Sequence, residues 1–118
     1  MDGNMTINNI DPVSTVDDRY YCTNLNDVAM RIAEWRLRKG FDTSWDNLPM
    51  KLMLTVSELG EAMEGYRKND VENVHEEIAD TMIRLLDICG SLNIDIAGEI
   101  NNKMAKNEGR PYRHGKNC

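Results

Sequence analysis

The chain has 118 residues, with 20 acids against 14 bases and a net charge of −6, which suits one domain with a modest core. The acidic balance excludes a general nucleic-acid binder, which needs a basic face, and no apolar run is long enough to cross a bilayer. Cys22, Cys89 and Cys118 are odd in number and form no CxxC. That is the usage of reduced thiols rather than of a disulfide framework or a zinc site, and with no signal peptide legible in MDGNMTINNIDPVSTVDD a cytoplasmic protein is expected.

Residues 1–22 lack helical periodicity and read as an arm or loop; residues 23–110 read as a helical domain and residues 111–118 as a basic tail. The first helix is expected from Asn24 to Lys39, with Val28, Ile32 and Trp35 on one face and Gly40 as its C′ residue. FDTSWD breaks the pattern. Asp46 is expected to cap a second helix with Pro49 in its first turn, ending near Lys68, with Leu48, Leu52, Val56, Leu59 and Met63 as its apolar stripe. Asn69 and Asp70 offer a cap for a third helix over Val71 to Cys89, striped by Val74, Ile78, Met82 and Leu85 and ended by Gly90. A fourth helix, marked by Ile96, Ile100 and Met104, should start at Asp95 and stop near Gly109, because Pro111 forbids much continuation. No segment alternates like a strand, so the reading is an all-α four-helix bundle with short connections.

The second helix contains Ser57-Glu58-Leu59-Gly60-Glu61 and the third Glu77-Ile78-Ala79-Asp80. A spacing of three puts each carboxylate pair on one helix face, beside its apolar stripe. If the stripes pack together, four acids converge at the edge of the bundle. Like charges so arranged repel unless a cation neutralises them, and oxygen-only ligands suit Mg²⁺ or Mn²⁺ rather than zinc. The bland alternative is a solvated acidic face on a non-catalytic helical dimerisation or adaptor module. Glu72 and His75 form an ExxH, but the di-iron design needs a second ExxH and the chain has none.

SELGEAMEGYRK followed by EEIADTMIRLLDICGSLNID resembles the ExxE…ExxD signature of MazG-like proteins in the all-α NTP pyrophosphohydrolase superfamily. The similarity runs from about Trp35 through NKMAKNEGRPYRHG. The resemblance implies hydrolysis of a nucleoside triphosphate, canonical or modified and most naturally a dNTP, to the monophosphate and pyrophosphate, as in nucleotide-pool house-cleaning. It makes Glu58, Glu61, Glu77 and Asp80 the catalytic acids and Mg²⁺ ligands, with Mn²⁺ as a substitute. Many relatives carry a further acid directly before the first motif Glu; here that position is Ser57.

Lys103, Asn107 and Arg110 fall at i, i+4 and i+7 near the end of the fourth helix and are similar to the family's K…N…R pattern, which holds the triphosphate. Basic residues at a helix C-terminus are also favoured by the dipole alone. Arg84, one turn after Asp80, is within reach of a phosphate or is a surface arginine. Arg113, His114 and Lys116 make the tail a basic lid or a solvated end. Trp35 and Trp45 are candidates to stack on a base; Trp35 fits the first helix's core stripe, whereas Trp45 lies in a loop and is less easily explained as core. Met50, Met53, Leu54, Ile83, Leu86 and Ile88 extend the apolar surface beyond the stripes. Such helices need cover on more than one side, and relatives pair as dimers or tetramers. A homodimer or tetramer completing the bundle is therefore expected, with no nucleic acid or membrane as partner.

Overall fold

A computed structural model of the chain describes residues 24–116. The expected arm over residues 1–22, with Cys22, and the terminal Cys118 lie outside the described residues. The described chain is all-helical, with no strand: α1 (Leu25–Arg38), α2 (Leu48–Arg67), α3 (Val71–Ser91), α4 (Ile96–Glu108) and a final 3-10 turn over Tyr112–Gly115. Among these residues no helix is long and apolar enough to cross a membrane.

Local chemistry sets the helix ends. The side chains of Asn24, Asp70 and Asp95 each accept a hydrogen bond from the backbone N–H three residues on, which satisfies a donor the helix leaves open. Three helices end the same way. Gly40, Asn69 and Asn93 adopt left-handed φ values of 94°, 58° and 57°. The next residue's N–H then turns back to Arg36, Gly65 and Cys89 respectively, at 2.9, 2.8 and 2.9 Å. This double-bonded C-terminal turn satisfies the last carbonyls. Gly40 ends α1 as expected, while Asn69 ends α2 rather than starting α3.

Two boundaries differ from expectation. The residue before α2 is Asn47, not Asp46, and its side chain does not cap the helix. It faces the loop instead, accepting from Ser44 N–H at 2.9 Å and donating to the Asp42 carbonyl at 2.8 Å. Gly90 does not end α3, which runs on to Ser91. A Cβ at Gly90 would strike the Ala29 carbonyl and lie 2.9 Å from Ala33 Cβ, so this glycine lets α1 and α3 touch backbone to backbone.

The central element is α3, flanked by α1 and α2, with α4 resting chiefly on α1. Both flanking helices run antiparallel to it. Arg36 meets Asp87 while Ala29 meets Gly90, and Glu58 meets Arg84 while Gly65 meets Val74. Asn26 ties the start of α4 to α1, donating to Asp95 at 2.7 Å and accepting from Ala97 N–H at 3.0 Å. Between α1 and α3 lies the apolar core of Ala29, Leu86 and Cys89, against which Leu25, Val28, Ile32 and Ile96 pack. Trp35 is half-buried.

The apolar stripes of α2 and α3 do not pack against each other. Leu52, Val56, Leu59 and Met63 are exposed, as are Ile78, Met82 and Leu85. The face of α2 that is covered carries Lys51, Thr55, Glu58, Ala62 and Gly65, in steps of four, three, four and three. Opposite them on α3 are Val74, Glu77, Thr81 and Arg84, buried or half-buried. Small and polar residues let these two helices approach, and the apolar stripes are turned outward. Leu86 and Ile88, outside the expected α3 stripe, are both buried.

Candidate metal centre

Because the polar faces of α2 and α3 meet, the acids sit between the helices rather than at a rim of the apolar stripes. Glu58, Glu77 and Asp80 each offer a carboxylate oxygen within 4.8 Å of the others. Glu58 and Glu77 are half-buried and Asp80 is exposed. Glu61, the fourth expected ligand, is exposed and is not one of this group of three. At about 100° per residue, Lys51, Thr55, Glu58, Ala62 and Gly65 form one arc of α2, and Glu61 lies beyond the edge of that arc. It remains close enough for its charge to act on Glu77.

The electrostatics are uneven. Arg84 Nε donates to Glu58 Oε2 at 2.8 Å, and this guanidinium holds Glu58 below the ordinary glutamate range, against burial, which acts the other way. Among the described residues Glu77 is paired with no cation. Burial pushes it up, and the neighbouring Glu58, Asp80 and Glu61 carboxylates push it further. Its Oε1 is buried and receives no hydrogen bond from a donor among the described residues, although the carboxyl lies within hydrogen-bond reach of Glu58. A buried acceptor left empty is costly. An oxygen-only set with one such acceptor fits a hard divalent cation.

The remaining expected residues are spread out. Arg84 is not a surface arginine: its side chain is 25% exposed and engaged on Glu58. It follows Glu77 by seven residues and so shares that face, a signal present in the sequence. Lys103 and Arg110 are exposed. Asn107 is half-buried, and its Oδ1 is buried without a partner. Because α4 packs chiefly on α1, its polar residues are not joined to the acid group by helix packing within the described residues. Trp45 is 75% exposed. Arg113 stacks near the Tyr112 ring at 5.4 Å, and the side chain of His114 lies outside what is described. Glu72 and His75 are both exposed.

One buried network carried no signal in the sequence reading. Asp87, 2% exposed, accepts from Thr43 Oγ1 at 2.6 Å and from Ser91 Oγ at 3.1 Å. Arg36 Nε lies 3.2 Å from it, though not aimed as a hydrogen bond, and the guanidinium stacks on Phe41 at 4.6 Å. The loop that presents Trp45 is thereby fastened to both α1 and α3. Lys51 is also buried, on the same α2 face as Glu58.

No family model, curated protein or solved structure matches the chain.

Proposed function

We propose that the chain is a divalent-cation-dependent nucleoside triphosphate pyrophosphohydrolase of the MazG-like kind, releasing nucleoside monophosphate and pyrophosphate. The observation that carries this reading is the convergence of Glu58, Glu77 and Asp80 from two helices, with a buried Glu77 oxygen that receives no hydrogen bond among the described residues. A solvated acidic face would turn these side chains to water, and two of the three are half-buried instead.

In this reading Glu58, Glu77 and Asp80 hold Mg²⁺ or Mn²⁺, and Glu61 supplies a fourth carboxylate from the edge. The cation, when bound, supplies Lewis-acid stabilisation to the phosphate chain. A carboxylate of the site takes up the proton of the attacking water. Lys103, Asn107 and Arg110 orient the triphosphate and offset its charge. Trp45, a large apolar ring held out on a fastened loop, stacks on the base. The exposed stripes of α2 and α3 are covered by a second copy of the chain.

The test is a panel of canonical and modified dNTPs and NTPs with Mg²⁺, with products resolved by chromatography. At least one triphosphate should yield monophosphate and pyrophosphate. Release of orthophosphate and a diphosphate would overturn the reaction type. No hydrolysis across the panel would leave the adaptor reading.

A further inference from the structure

A cation held with Glu77 and Asp80 would also draw on the Glu58 carboxylate, one of whose two oxygens, Oε2, is engaged by Arg84 Nε at 2.8 Å. The contact is partly withdrawn from water, with the two side chains 25% and 19% exposed. Among the described residues the terminal nitrogens of Arg84 make no hydrogen bond or ion pair. A guanidinium presents five N–H donors in a planar fork that matches phosphate oxygens. Four of those five therefore remain open, next to the acids.

We propose that Arg84 is the resident counter-ion of the site: it occupies Glu58 while no divalent cation is bound, yields that carboxylate when one binds, and turns its guanidinium to the phosphate chain of the nucleotide. The proposal rests on the pyrophosphohydrolase reading given above. Charge explains the exchange. Arg84 and, through space, Arg36 lower Glu58, while Glu77 is raised by the carboxylates around it; the cluster is left under-neutralised, and a divalent ion offers twice the charge of a guanidinium. Once that ion is seated, the displaced guanidinium is a free positive group beside it, where an anionic phosphate chain would lie. Cation and phosphate binding are then coupled through one side chain. The competing role, in which Arg84 merely orients Glu58 as an outer support of the cation, predicts the opposite sign on metal affinity.

The experiment measures Mn²⁺ binding to the full chain without nucleotide, by the electron paramagnetic resonance signal of free Mn²⁺. Arg84→Met should bind Mn²⁺ roughly two- to fivefold more tightly than wild type, the factor a partly exposed ion pair commands. With Mn²⁺ saturating, the same variant should bind inorganic tripolyphosphate more weakly than wild type. Unchanged or weaker Mn²⁺ binding, or unchanged tripolyphosphate binding, would overturn the proposal while leaving the metal centre standing. Absence of Mn²⁺ binding to wild type would sink both. The wild-type protein gives a measurement independent of the variant's folding. In ¹⁵N spectra the Arg84 Nε–H resonance should shift and lose protection from solvent exchange on adding Mg²⁺. An Arg84 resonance unmoved at saturating Mg²⁺ would refute the exchange.

Discussion

Glu58 and Glu77 are neighbours with opposite titration behaviour, and the difference has a stability consequence. Burial and three surrounding carboxylates raise Glu77 above its ordinary value of 4.5, so the folded chain holds that proton more tightly than the unfolded chain. Its contribution is complete below 4.5 and is lost as pH rises through the folded value. Glu58 is lowered by Arg84 from the same 4.5; its contribution is present above 4.5 and is lost as pH falls through the folded value. At neutral pH without metal, Glu77 is therefore the member that opposes folding. Glu77→Gln should raise the metal-free Tm at pH 7, with the gain shrinking toward pH 4. Mg²⁺ should raise the wild-type Tm at pH 7 and do less for the variant, because a ligand that binds only the folded chain stabilises it. Thermal melts followed by circular dichroism across this pH range check both. A Glu77→Gln protein no more stable than wild type at pH 7 would show that the site bears no like-charge strain.

The contact between α1 and α3 depends on one missing side chain. Replacing a helix-interior glycine by alanine usually adds about 1 kcal/mol through propensity. At Gly90 the new Cβ would meet the Ala29 carbonyl, which is backbone and cannot rotate away, and Ala33 Cβ at 2.9 Å. Overpacking of this sort costs about 1–3 kcal/mol, and prising α1 from α3 also opens the Ala29–Leu86–Cys89 core. Gly90→Ala should therefore destabilise the chain, and urea denaturation should show a lower midpoint with an unchanged slope. A higher midpoint would mean that α1 is free to move aside. At the same scale, α2 and α3 meet through Thr55, Gly65, Thr81 and their neighbours, so the close face between them is the one that carries Glu58 and Glu77.

Among the apolar side chains exposed on α2 and α3 are seven from their stripes: Leu52, Val56, Leu59, Met63, Ile78, Met82 and Leu85. They are about half exposed, and covering them in two copies at once would contribute on the order of 10–20 kcal/mol. The cost of association is about 4–15 kcal/mol, so pairing wins over much of that range. Light scattering should give a mass of at least two chains, twice 13.5 kDa. Val56→Glu combined with Met82→Glu should lower it toward one chain and reduce Tm. A wild-type mass near 13.5 kDa with full activity would refute the second copy as occupant of this face.

The helices were legible in the amino-acid sequence because their signals are local. Asn24, Asp70 and Asp95 announce starts, Gly40 announces an end, and apolar spacing over three to four residues marks what lies between. The acidic pairs were legible for the same reason, since a spacing of three shares a face in any helix. Tertiary structure alone decided which face of each helix is turned inward. An apolar stripe can be satisfied by its own chain or by another copy, and periodicity is identical in both cases. That is why spacing alone left open whether the stripes of α2 and α3 face each other, when Lys51, Thr55, Glu58 and Gly65 occupy the α2 side of that contact. The same limit hid the pairing of Arg84 with Glu58, 26 residues apart, and the closure of Thr43 on Asp87 across 44. Contacts at such separations depend on how helices cross, which no short-range pattern encodes.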